Sequence, residues 1–209
     1  MKLHKFLLTP PIVAISAALF CGALFAGGVN SYEGPDNGDW SADANWSQGH
    51  VPRPDEDVGI GGMTVNAPGS INVKSLHLIA ATLYIGDKTS RPHIAPVIDG
   101  DLTLVEGSKL YVYAGELTDM SVFKTAEVDR DSVAAALWAN KGVVEIRGEF
   151  LIEGGSAVYP DNAPVSGVPV AFIADSVTLS ADSKIDVQNA GWKWVNEAWT
   201  VENGASPVY

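Results

Sequence analysis

Leu102-Thr103-Leu104-Val105-Glu106-Gly107-Ser108-Lys109-Leu110-Tyr111-Val112 decides the fold class. It is two short alternating runs hinged at Gly107-Ser108. The stretch from Val177 to Val187 matches it position for position, with Asp182-Ser183-Lys184 at the hinge. A third version is Phe150-Leu151-Ile152 followed by Gly154-Gly155-Ser156-Ala157-Val158. A looser one is Leu76-His77-Leu78 followed by Thr82-Leu83-Tyr84-Ile85. Period-two runs bounded by Gly, Asn, Asp and Pro predict strands. Met63-Thr64-Val65 and Ile71-Asn72-Val73 add further runs of the same kind.

The copies are offset by 26, 48 and 27 residues. Dividing the middle interval into two equal steps predicts a coil of ~20–30 residues per turn, the period of a solenoid. Leu102, Leu104, Leu110 and Val112 then face inward, while Thr103, Lys109 and Tyr111 face out. Stacking predicts one internal ladder of Leu76, Leu102, Phe150 and Val177, and a second of Leu78, Leu104, Ile152 and Leu179. No single turn can bury its apolar face alone, so its neighbours hold it. An antiparallel β-sandwich is the alternative, because hairpins alternate in the same way, but it gives no reason for a two-strand phrase to repeat with matching Ser-Lys corners.

Halving the 48-residue interval calls for one more turn between Val112 and Gly142, with Met120-Ser121-Val122-Phe123 as its strand. Asp129 to Asn140 predicts a short helical excursion: Asp131 or Ser132 caps it, three alanines favour it, and Asn140 to Gly142 ends it. Residues 159–169, with Pro160, Pro164 and Pro169, are expected to form a loop.

Among the 209 residues, Met1 to Ala26 has the form of a secretory signal: Lys2 and Lys5, an apolar run from Ile12 to Phe25, then Ala26-Gly27-Gly28. Its roughly 15 apolar residues fall short of the ~20 of a spanning helix. Cys21, preceded by Phe20 rather than a small residue, lies inside that segment, so the processed chain carries no cysteine. Cleavage takes the net charge from −12 to −14, because Lys2 and Lys5 are the only charged side chains lost. Such a chain is repelled by nucleic acid and anionic lipid. The expected organisation is a signal peptide at 1–26, a lead-in or cap segment at 27–56 whose first part, Gly27 to Asp39, reads as flexible, and a β-helix domain at 57–209 that continues beyond Tyr209 if the chain is a fragment.

Trp40, then Asn45-Trp46-Ser47, Gly49, Pro52, Pro54 and Asp57-Val58-Gly59-Ile60 together resemble the opening of large bacterial exported proteins. Those proteins continue into right-handed parallel β-helices of the autotransporter-passenger and pectate-lyase-like kind. The resemblance implies an all-β, right-handed parallel β-helix, secreted or displayed at the cell surface, with a structural, adhesive or scaffold role. It also implies the alternative of an N-terminal part of a polysaccharide-degrading lyase or hydrolase. Lyases of that kind use clustered aspartates holding calcium plus a basic residue that abstracts a proton.

No catalytic constellation stands out. His50, His77 and His93 lack metal-ligand spacing, and His77 falls on the outward phase of a strand, where a solvated imidazole is expected. Neither a nucleophile elbow nor a phosphate loop is present. Arg147, between Glu145 and Glu149, reads as an exposed ion-pair ladder. Asp36-Asn37-Gly38-Asp39 and Asp55-Glu56-Asp57 lack the regular spacing of a calcium loop and read as turns. No metal and no cofactor is expected. Trp192 and Trp194 share one face of a strand and lie near Trp199. Coplanar indoles stack on sugar rings, which makes these three the candidate carbohydrate-binding residues and glycans the candidate partners. Burial as a cap over the last turn is the favoured role for them, as plugging the first turn is for Trp40 and Trp46.

Overall fold

The computed structural model describes residues 28–90, 94–113, 143–161, 170–186, 192–195 and 198–201. The signal segment, Cys21, His93, the expected strand at 120–123 and the expected helix at 129–140 lie outside them. Strands dominate: β1 (Asn30–Ser31), β2 (Gly38–Asp39), β3 (Asp57–Gly61), β4 (Thr64–Ala67), β5 (Asn72–Val73), β6 (Ser75–Ile79), β7 (Thr82–Ile85) and β8 (Val97–Ile98). Then come β9 (Leu102–Val105), β10 (Lys109–Tyr113), β11 (Val143–Ile152), β12 (Ala157–Asp161), β13 (Ala171–Leu179), β14 (Lys184–Ile185), β15 (Trp192–Val195) and β16 (Ala198–Val201). The helical content among the described residues is one 3-10 turn, Asp43–Asn45.

Two sheets carry the fold, and every pairing within them is parallel. One runs β1-β3-β6-β9-β11-β8-β5, with β13 also paired to β11; the other runs β14-β12-β10-β7-β4-β2. Parallel pairing sets aside the antiparallel sandwich. Each sheet is built from successive copies of the repeated phrase, and the registers are those the ladders require. Leu76 pairs Leu102, Leu102 pairs Phe150, and Phe150 pairs Val177. Leu78, Leu104, Ile152 and Leu179 align in the same way. In the second sheet Val65, Leu83, Leu110, Val158 and Ile185 line up.

Two expectations are corrected. The 48-residue interval is one step, because Phe150–Ile152 pairs directly with Leu102–Leu104 and β12 pairs directly with β10. No turn intervenes, and residues 114–142 are an insertion within a single copy. The flexible lead-in is also corrected. Asn30 and Ser31 pair in parallel with Val58 and Gly59, and Gly38 and Asp39 with Val65 and Asn66, so the segment forms the first copy. Asn30 is buried, with its amide donating to the His50 carbonyl and to Glu56 Oε2. The expected loop at 159–169 starts later, since β12 continues through Pro160 to Asp161.

Serine at the corner has a physical reason. Ser108 and Ser156 are fully buried between the two sheets' strands. The Ala81 amide donates to Ser108 Oγ at 3.2 Å, the Ser108 amide to Ser156 Oγ at 3.1 Å, and the Ser156 amide to Ser183 Oγ at 3.1 Å. Each hydroxyl thereby accepts from a backbone amide of the preceding copy, and the Ser108 and Ser156 amides also donate within the bend, to the Val105 and Glu153 carbonyls at 3.2 Å. The bend needs left-handed residues, supplied by Glu106-Gly107 and by Gly154-Gly155, and the Gly107 amide donates to the Gly154 carbonyl at 2.7 Å.

The core lies between the sheets. Val58, Ile60, Leu76, Leu78, Leu102, Leu104, Phe150 and Ile152 from one sheet, with Val65, Leu83, Leu110 and Val158 from the other, are all 0% exposed. Trp40, Trp46 and Tyr32 belong to the same core. Their rings meet edge to face, Trp46 lying 4.7 Å from Trp40 and 5.3 Å from Tyr32, and Trp46 Nε1 donates to the Trp40 carbonyl at 2.7 Å. They plug the N-terminal side, in the role expected of Trp40 and Trp46.

Candidate functional site

Side chains on the outer faces of the sheets are the ones free to do chemistry, and three groups gather there. The first surrounds His77. β6 places Ser75 and His77 two residues apart, hence on one face, and β3 places Asp57 opposite Ser75. Ser75 Oγ donates to Asp57 Oδ1 at 2.6 Å and lies 3.3 Å from His77 Nε2, and Lys74 Nζ pairs with Asp57 Oδ2 at 2.8 Å. The serine hydroxyl thus lies between acid and imidazole. In a nucleophilic triad the imidazole lies between them, so the order here is that of a structural cluster.

His77 is on the outward phase as expected, but it is half-buried rather than fully solvated. Burial holds its pKa below the ordinary value of 6.5, against the opposing pull of Asp57 and Asp101. Asp57 is itself held below the usual carboxylate value by its hydrogen bonds to Lys74 and Ser75. The folded chain therefore binds a proton at His77 less readily than the unfolded chain does. Stability present above pH 6.5 is lost as the pH falls below it toward the folded pKa. His77→Gln is expected to flatten the decline in urea midpoint between about pH 7.5 and 5.5. An unchanged pH profile in that variant would refute the assignment.

The second group is at the bend of β11. Between Ile146 and Glu149 the pairing of β11 with β13 shifts register, while on its other side β11 serves β8 with its first half and β9 with its second at one unbroken offset. Gly148 sits at the shift because a Cβ there would strike Asp101 Oδ1 and the Gly100 backbone. Arg147 Nε donates to Glu145 Oε1 at 2.9 Å, and its Nη1 to Asp99 Oδ1. Glu149 takes no part in that pair, since its amide donates to Asp101 Oδ1 and its carboxylate accepts from Thr178 Oγ1 at 2.6 Å. Both acids, hydrogen-bonded to the guanidinium, hold Arg147 above its ordinary value. Arg147 is thus engaged by two carboxylates in an exposed ion-pair group.

The two acidic stretches are turns only in part: Asp36, Asn37 and Asp55 lie in turns, whereas Gly38-Asp39 is β2 and Asp57 opens β3. Asp36 Oδ1 accepts from the Thr64 amide, Asp39 Oδ1 from the Ser41 amide and hydroxyl, and Glu56 Oε2 from Asn30 and the Arg53 amide. Among the described residues no three His, Cys, Asp or Glu side chains converge on a point that could hold a metal.

The third group is aromatic. Tyr84, Tyr111 and Tyr159 occupy one outward row of the second sheet. Their rings stack face to face, with centroids 4.8 and 4.6 Å apart and planes within 20° and 12° of parallel. Lys184 Nζ lies 5.3 Å above the Tyr159 ring, closing one end of the stack. Because the ring faces are spent on each other, solvent meets their edges and hydroxyls, and the row is not a platform for sugar stacking. Burial, reinforced by the neighbouring phenols, pushes the Tyr111 pKa up.

β15 and β16 pair as an antiparallel hairpin, with Trp192 opposite Val201 and Trp194 opposite Trp199. Directly opposed residues share a face, so positions 192, 194, 199 and 201 lie on one side of the ribbon. The side chains of Trp192, Trp194 and Trp199 lie outside the described residues. A shallow groove of about 330 Å³ near the N-terminal side is lined by Trp40, Val51, Pro52, Pro54, Pro68 and Ile71 among others, and no titratable side chain lines it. Among the described residues, no helix is long and apolar enough to cross a membrane. Compared with protein-family models, curated proteins and solved structures, the chain has no match.

Proposed function

We propose that this chain is an exported structural module: a right-handed parallel β-helix, secreted or held at the cell surface, that serves as a scaffold or adhesive surface without catalysis. One observation carries the reading. Successive copies stack in register, and their outward charges and rings are engaged with each other rather than left convergent on a cleft. Lys74 pairs with Asp57, Arg147 with Glu145 and Asp99, Lys184 with Asp186, and the tyrosines with one another. A surface of that kind keeps its shape and offers no reacting group, which suits a spacer or display element. The acidic balance favours solubility over binding to nucleic acid or anionic lipid.

Expression with its own first 26 residues in a bacterial host tests the export half of the reading. The product is expected outside the inner membrane, with Gly27 as its N-terminal residue by mass spectrometry. Incubation of that product with acidic and neutral polysaccharides tests the other half. Release of reducing ends or of unsaturated uronate, abolished by Arg147→Ala or His77→Ala, would overturn the scaffold role.

A further inference from the structure

The last copy of the repeat differs from its neighbours in one respect. Phe150, Ile152 and Val158 are 0% exposed, yet their ladder partners Val177, Leu179 and Ile185 are 56%, 48% and 37% exposed. These three continue the inner ladders of both sheets, so the end of the core stands open. Among the described residues, β13 and β14 are also the outermost strands there, each paired on one side only. An apolar surface joined to unpaired strand edges invites a covering partner.

The chain itself supplies a segment of matching character a short distance on. Residues 187–191 join Asp186 to β15, and five extended residues span up to roughly 17 Å, more than the ~10 Å between packed sheets. The β15–β16 register puts positions 192, 194, 199 and 201 on one face of the ribbon and positions 193 and 200 on the other. A two-stranded hairpin is marginal in water unless its apolar face is buried. The open end of the core is thus tethered within reach of a hairpin whose register sets four apolar positions on one face.

We propose that the Trp192–Val201 hairpin folds back onto Val177, Leu179 and Ile185 as the C-terminal plug of the core. The plug requires neither export nor coil closure, so it stands apart from the role proposed above. In this arrangement the tryptophan face is an internal contact rather than a sugar site.

Tryptophan accessibility in the full chain tests the plug, with light scattering to give the mass. Leu179→Asp is expected to free the hairpin, shifting tryptophan emission to the red and raising acrylamide quenching about twofold. Lys193→Ser, on the opposite ribbon face, is expected to change neither. Because Leu179→Asp can disturb the last strands directly, Trp194→Ser provides the independent arm. It is expected to leave the circular dichroism of the sheets intact while increasing uptake of a hydrophobic dye at the opened end. Quenching in the wild type equal to that of Leu179→Asp would overturn the plug. So would a wild-type dimer that Leu179→Asp dissociates and Trp194→Ser does not, since a second copy would then cover the end. Protection of the wild-type tryptophans by an added oligosaccharide would overturn it as well, by showing the ribbon face free to take sugar.

Discussion

Phe150→Ala is expected to lower the unfolding free energy by about 3–5 kcal/mol, read as a fall in urea midpoint at unchanged slope. Phe150 is 0% exposed and holds the middle of an inner ladder, with Leu102 on one side and Val177 on the other. Its ring also lies 5.4 Å from that of Phe172, so the cavity left by truncation is walled by two strands of its own sheet. Parallel strands in register cannot close such a gap by sliding, because a slip of one residue would turn every inward side chain outward. Leu151→Ala is the matched control. It truncates an apolar side chain one position along β11, on the outward phase, and a loss of about 1 kcal/mol or less is expected. Equal losses in the two variants would mean that the inward and outward faces are misassigned.

Trp46→Ala is expected to cost a similar about 3–5 kcal/mol, but with a different signature. The buried indole closes the N-terminal side by three contacts at once: edge to face with Trp40, edge to face with Tyr32, and the Nε1 bond to the Trp40 carbonyl. Its removal leaves that carbonyl without its indole donor in a buried setting and two rings without a wall. The first copy, β1 with β2, depends on this plug more than the later copies do. Hydrogen exchange of the Asn30 and Ser31 amides is therefore expected to rise well before that of Leu102 to Val105. Trp46→Phe keeps an aromatic wall while losing the hydrogen bond and part of the indole, so a smaller loss of about 1–2 kcal/mol is expected. Uniform exchange across both sets of amides would show that the plug and the repeats unfold as one unit.

The ladders are legible in the sequence because period-two alternation fixes which residues face in, and the Ser corner fixes how copies align. Leu102, Phe150 and Val177 follow from those two signals alone, and Leu76, whose copy has Ala81 at the corner, from alternation. The 48-residue step is not legible, because period and insertion length are confounded in one number, and division into two plausible turns is as good arithmetic as one long turn. The tyrosine stack is lost with it. Tyr84, Tyr111 and Tyr159 align under the same offsets that align Leu83, Leu110 and Val158, but only when the long step is taken whole. The first copy is hidden for another reason. Asn30-Ser31 and Gly38-Asp39 are polar, two-residue strands held by Asn30 and Glu56 rather than by alternation. At His77 the phase is right and the environment is not, since burial there comes from neighbouring strands that no local pattern reports.

The largest differences in length between the described strands fall on one kind of connection. The links from Ile79 to Thr82, Val105 to Lys109, Ile152 to Ala157 and Leu179 to Lys184 are short. The variable segments are 40–56, 68–71, 86–96, 114–142 and 162–170, all leaving the second sheet to return to the first. Closing a longer loop costs only about 0.6 kcal/mol of chain entropy per doubling of its length. The strands on either side of 114–142 are registered by their lateral neighbours, not by the peptide that joins them. That seam can therefore absorb insertions, deletions or a grafted peptide at small thermodynamic cost, while the ladders keep their alignment.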